Sequence, residues 1–209
     1  MNDYLMKFVI VGDMDTGKTS LLKNNQLPSF PTIGVDFSSI ILKIFNKKCK
    51  IHIWDTSGNP IFSNLNQTYY NISIGVIIVF NLSNISSFHN IDFWYKEIFK
   101  NNNNYRNFAI IGTHADKIRQ VPLDLIEKKC REINADYFEV PSECCTESIL
   151  KRMAENILND YNNYPSNFYN LPGFKDESPQ IYKINQTSDY VKFNDNDEKD
   201  PCCRNCTIQ

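Results

Sequence analysis

The sequence predicts an α/β domain, with a mostly parallel six-stranded sheet that carries one antiparallel strand and has helices on both faces. Three observations carry this. Apolar runs of strand length alternate with segments of helical spacing between Lys7 and Tyr161. Two consecutive extended runs, Phe37–Phe45 and Lys50–Trp54, read as a hairpin and supply the antiparallel pair. The polar motifs fall at the ends of strands, where open α/β sheets bind their ligands.

The elements follow in order. KFVIV, residues 7–11, reads as a buried strand, with a Gly-rich turn after it and a short helix from Gly17. Phe37–Phe45 mixes β-branched and aromatic residues, and KIHIW, residues 50–54, alternates as its partner. GVIIVF, residues 75–80, is a fully apolar strand. Residues 85–99 have helical spacing, with Phe88, Ile91, Trp94, Tyr95 and Ile98 near one face. NFAIIG, residues 107–112, is another buried strand. Residues 123–133 read as a helix, 137–140 as a short strand and 147–161 as a last helix. After Tyr161 the composition turns to Pro, Asn, Asp and Ser with isolated aromatics. This divides the chain into a domain at 1–161 and a flexible tail at 162–209.

Composition narrows the function. The 209 residues are 42% hydrophobic and 13% aromatic, enough for one domain with its own core. A net charge of -2 gives no footprint for nucleic acid. No run approaches the ~18 apolar residues of a membrane span. The N-terminus has no basic start and its apolar run is short, so it reads as a strand and not a signal peptide. The seven cysteines form no framework and no zinc spacing, which favours a reducing, cytosolic setting.

GDMDTGKT, residues 12–19, fits the G-x-x-x-x-G-K-[ST] phosphate loop in its required place, after an apolar strand and before a helix. The backbone N–H groups of Gly12, Asp13, Met14, Asp15, Thr16, Gly17 and the helix start through Ser20 would bind phosphate oxygens. Lys18 would reach the β- and γ-phosphates, and the Thr19 hydroxyl would ligate Mg²⁺. The plainer alternative is a Gly turn capping a helix beside a surface lysine.

Three further motifs follow: TIGVDF from Thr32, WDTSGN from Trp54 and THAD from Thr113. With the phosphate loop they resemble the small GTPases of the Ras superfamily. IGVDF, KIHIWDTSG, TYYN from Thr68 and SSFHNIDFW from Ser86 narrow the resemblance to the Rab family, over residues 7 to about 160. The resemblance implies a P-loop small GTPase fold that binds GTP or GDP with Mg²⁺. It implies that Asp116 selects guanine by accepting from N1–H and the 2-amino group. Asp55 would hold Mg²⁺ through water, Thr32 would complete the metal shell when GTP is present, and the Gly58 N–H would meet the γ-phosphate. Asn59 and Lys18 would serve hydrolysis. Residues Ile33, Gly34, Val35, Asp36 and Phe37 would contact effector proteins, alongside an exchange factor and a GTPase-activating protein.

Several residues depart from the family pattern. Met14 stands where the family has Gly or another small residue and would crowd the attacking water and any activating arginine. Asp15 replaces Gly; it tolerates left-handed backbone but places charge near the phosphates. Asn59 replaces the glutamine that orients the attacking water, on a stem one methylene shorter, and Pro60 follows it. Thr113 and His114 replace Asn and Lys in the guanine motif. Pro141, Ser142 and Glu143 occupy the last base-binding loop, where the Ser142 N–H would meet guanine O6. The segment between Lys18 and Thr32 is about five residues short of the pattern. Slow intrinsic hydrolysis follows as an expectation.

The chain ends PCCRNCTIQ. Its last four residues, from Cys206, resemble a prenylation box. The terminal Gln points to farnesyl, the Rab resemblance to geranylgeranyl. Stable anchoring takes two signals. Residues 165–209 hold five basic and seven acidic residues, so the second signal falls to a lipid on Cys202 or Cys203. Such a tail spans roughly 35–40 Å as a coil. The expectation is a lipid-anchored switch on the cytoplasmic face of a cell membrane that regulates vesicle traffic. The alternatives are a nucleotide-binding interaction module with little turnover and a P-loop kinase acting on a small molecule.

Overall fold

The computed structural model describes residues 3–22, 32–100, 107–141, 146–168 and 171–176. A sheet in the order β2-β3-β1-β4-β5-β6 is built from Val35–Ile44, Lys47–Thr56, Tyr4–Val11, Gly75–Asn81, Asn107–Thr113 and Ala135–Glu139. All neighbours in this path are parallel except β2 and β3, which pair antiparallel from Val35↔Thr56 to Ile44↔Lys47. The helices are α1 (Lys18–Leu22), α2 (Ser63–Asn71), α3 (Ile85–His89), α4 (Ile91–Phe99), α5 (Leu123–Ile133) and α6 (Glu147–Asn163).

Strand alternation divides β1 between two cores. Met6, Phe8 and Ile10 face α6, where Ile149, Met153 and Ile157 are fully buried. Val9 and Val11 face the opposite side, against Phe88, Trp94 and Ile126. The expected six-stranded sheet with helices on both faces is therefore present.

Three features differ from the sequence reading. Residues 85–99 form two helices, broken at Asn90, whose side-chain amide donates to Asp13 Oδ2 at 2.7 Å. Helix α2 was not expected, because SNLNQTYYN has poor propensity and weak amphipathicity. It is fixed by tertiary contacts: Tyr70 is buried, and buried Asn66 donates to Ser57 O. Finally, the packed fold runs beyond Tyr161. A 3₁₀ turn at Pro165–Phe168 and a seventh strand, β7 (Phe174–Asp176), lie on the domain, β7 antiparallel to Tyr4–Met6. The isolated aromatics of this stretch hold it there. Phe168 and Phe174 pack on Tyr161, and Phe174 stacks on Tyr4. Tail residues 177–209, with Cys202, Cys203 and Cys206, lie outside the described residues, as does Ser142.

Candidate nucleotide-binding site

A cleft of about 380 Å³ opens at the carboxyl ends of β1 and β3. The phosphate loop forms one wall. Gly12 sits at φ 144° and Gly17 at φ 87°, and a Cβ on Gly12 would lie 2.2 Å from the Val79 carbonyl oxygen. Only glycine fits so close an approach. Asp15 takes the left-handed conformation, φ 60°, as its side chain permits. Lys18 is buried, and its ammonium donates to Asp13 O at 2.6 Å. Burial lowers its pKa to about 8, against the pull of Asp55, Asp13 and Asp15.

Opposite stand the metal candidates. Thr19 donates its hydroxyl to Asp55 Oδ2 at 2.6 Å, and Thr32 Oγ1 lies 2.8 Å from Thr19 Oγ1. Asp55 is buried, and its second oxygen, Oδ1, has no partner. Burial raises its pKa, although the Thr19 hydrogen bond and Lys18 oppose the rise. The unpartnered, buried Asp55 Oδ1 beside buried Lys18 fits a site for charged ligands. A divalent cation at Thr19, Thr32 and Asp55 and phosphate oxygens at Lys18 would relieve both. Mg²⁺ there would supply positive charge against the phosphates during transfer.

Two segments meet above this pair. The Ser57 N–H donates to Gly34 O at 2.8 Å, which ties the segment after Thr32 to the loop after β3. Gly58 lies against the phosphate loop; a Cβ there would come within 2.5 Å of Met14 N. Met14, 51% exposed, lines the cleft beside Asn59. The Asn59 carboxamide oxygen accepts from Ile61 N–H at 3.0 Å, and Phe62 N–H bonds to Asn59 O.

On the base side, Thr113 is buried and contacts Thr16 O at 2.7 Å and Phe80 O at 3.0 Å, tying the phosphate loop to the guanine motif. His114 lines the cleft at φ 58°. Asp116 lies on the exposed turn beyond, outside the cleft lining, with Ala115 N–H anchored to Val140 O. The structure thus gathers the phosphate and metal residues into one cleft and leaves Asp116 at its margin.

Comparison with known proteins decides the assignment. The model of the Ras family matches residues 7–159. The chain is 31% identical over 177 residues to Ras-related protein Rab-11B of Dictyostelium discoideum, covering 82% of this chain and 74% of that one. It is 33% identical over 175 residues to Ras-related protein Rab-1 of Theileria annulata, covering 79% and 80%. The chain belongs to the Ras family, among its Rab members. This Rab-family chain is a GTPase, which hydrolyses GTP to GDP with Mg²⁺ as cofactor. Ras-related protein SEC4 of Saccharomyces cerevisiae is 32% identical over 143 residues, 66% of each chain.

Some contacts at the site are not legible in the sequence. Asp13 turns its carboxylate away from the cleft, toward Trp94 Nε1 at 2.8 Å and Asn90 Nδ2. Its backbone oxygen holds Lys18 and the Thr16 hydroxyl. Helical spacing places Trp94 on the core face, and nothing in it reveals a partner 81 positions away. The aromatic stack around Trp54 is not legible either. Phe37 packs on Trp54, and Trp54 on Tyr69, with ring centroids 4.7 Å apart in each pair. The alternation of KIHIW placed Trp54 on one strand face but could not show what lay above it.

Proposed function

We propose that this Rab-family chain is a membrane-anchored GTP/GDP switch that regulates vesicle traffic, with slow intrinsic hydrolysis. The observation that carries the reading is the convergence of Thr19, Thr32 and Asp55 beside buried Lys18. Thr32 arrives from a different segment than Thr19, so nucleotide and metal control where that segment sits. Lys18 would orient the phosphates, Gly58 N–H would read the γ-phosphate, and Asp116 and Ser142 would select guanine. The loss of the γ-phosphate would release Thr32 and Gly58 together through the Gly34–Ser57 bond.

Residues Ile33–Phe37 would carry the output to effector proteins. The half-exposed Phe37 on its Trp54–Tyr69 support gives them a rigid aromatic contact. An exchange factor and an activating protein would set the rates. Lipids on Cys206 and on Cys202 or Cys203 would hold the chain on the cytoplasmic face of a membrane.

A second reading, an interaction module with little turnover, has its own support. The Asn59 carboxamide oxygen is committed to Ile61 N–H. Nucleotide content separates the two. Purified chain carrying GDP supports a switch that turns; GTP retained through purification supports the second reading. Chain that carries no nucleotide and takes up none with Mg²⁺ refutes both.

A further inference from the structure

The tip of the β2–β3 hairpin combines features that local folding preference does not favour. Phe45 and Asn46 form its turn, with φ of 47° and 63°. Such turns favour Asn, Asp and Gly, and a bulky aromatic at positive φ is strained. Phe45 gains little burial in return, being 56% exposed. Lys43 stands directly opposite Lys48, where like charges repel. Lys47 and Lys50 bring the group to four lysines within eight residues, in a chain whose net charge is -2. Ile41, opposite Lys50, is 59% exposed. Among the described residues no carboxylate forms an ion pair with any of the four. Among the described residues, the acids at this end are Asp3, which accepts from the Lys48 backbone N–H, and Asp176, which accepts from the Tyr161 hydroxyl.

The position of this tip completes the argument. Strand β7 ends with Asp176 opposite Tyr4, and Tyr4 lies opposite Cys49 on its other side. At about 4.8 Å per strand, Asp176, the last described residue, lies about 10 Å from β3, at the lysine end. The 33 residues after Asp176 hold the terminal cysteines. The nucleotide cleft is at the other end of β3, about 30 Å away.

We propose that the hairpin tip is a membrane-contact surface. Lys43, Lys47, Lys48 and Lys50 attract anionic lipid headgroups, while Phe45 and Ile41 enter the interfacial layer. An aromatic apex ringed by long cationic side chains suits a bilayer interface better than an acidic protein groove. The contact supplies an electrostatic membrane signal, beside the lipids, that the tail with its excess of acids does not. It leaves the nucleotide cleft facing away from the bilayer. The proposal takes its setting from the membrane reading above, but the tip acts without any lipid on the chain.

The test uses the full unlipidated chain, sedimented with vesicles of neutral phosphatidylcholine or of phosphatidylcholine with phosphatidylserine. The chain is expected to bind the anionic vesicles only, and to be released by salt. Each lysine near such a surface is worth about fivefold in partition, so Lys43→Gln with Lys48→Gln should lose roughly 25-fold. Phe45→Asn should lose several-fold while its melting temperature holds or rises, because the turn strain is relieved. Neither variant should change GTP hydrolysis. Equal partition of wild type and either variant would overturn the proposal. So would binding to soluble polyglutamate that matches the vesicles and ignores Phe45, which would mark an acidic protein site. Failure of the lipid anchor would instead show in cells, as membrane association indifferent to Cys206→Ser; the vesicle assay is blind to it.

Discussion

Asn59 spends its side chain on local structure. Its carboxamide oxygen accepts from Ile61 N–H, and its backbone oxygen accepts from Phe62 N–H, which closes the 3₁₀ turn at Pro60–Phe62. A glutamine would carry the same amide one methylene further, out of that turn and toward the cleft. Asn59→Gln is expected to raise single-turnover GTP hydrolysis by about tenfold, equal to 1.4 kcal/mol of barrier. His114 invites a second prediction. The Thr113 hydroxyl has one proton and two carbonyl acceptors, so His114 Nδ1, 3.0 Å from Thr113 Oγ1, best serves it as donor. Burial lowers the His114 pKa, Lys117 adds to this and Asp116 opposes it. The unfolded chain therefore takes up a proton near pH 6.5 before the folded chain does. Stability from this residue is complete above pH 6.5 and is lost as pH falls below it. Melting curves between pH 5 and 7 should show a shallower fall for His114→Gln than for wild type.

Among the elements, the one that most changes the architecture is the strap after α6. Phe168 is 4% exposed and packs edge-on to Tyr161 and Phe174. Phe168→Ala should cost about 3 kcal/mol in urea unfolding by the usual cavity penalty. A merely loose tail would show no loss. The strap was illegible because its pattern, single aromatics among Pro, Asn and Asp, is that of a loop until partners at Tyr4 and Tyr161 are in place. The β2–β3 hairpin, the buried strands and α5 were legible, since each carries its own period. Helix α2 was not, since its reason to be helical lies in Tyr70 and Asn66 meeting distant groups. The site divides the same way. The phosphate loop, Thr32 and Asp55 are legible as motifs because metal and phosphate dictate the residue types. The Asp13–Trp94 contact is not, because only the packing of α4 brings the two together.

For the whole molecule, the cleft is where folding and ligand meet. Burial draws Lys18 and Asp55 each toward neutrality. Loaded with Mg²⁺ and GDP at 1,000 times its dissociation constant, the chain should gain about 4 kcal/mol. For a domain of this size that is about 10 °C in melting temperature. EDTA should return most of it, read by thermal melting at fixed protein and nucleotide concentration.

Strand β1 is flanked along its length. Strand β3 covers one side from Tyr4 to Ile10; on the other, β7 serves Tyr4–Met6, Gly173 and Ile74 meet Lys7, and β4 serves Phe8–Val11. A strand so enclosed has no open edge from which to fray. In deuterated water, its amides should be among the last to exchange, at rates set by global unfolding. The timing of label uptake would then rank the rest of the chain by distance from this one strand.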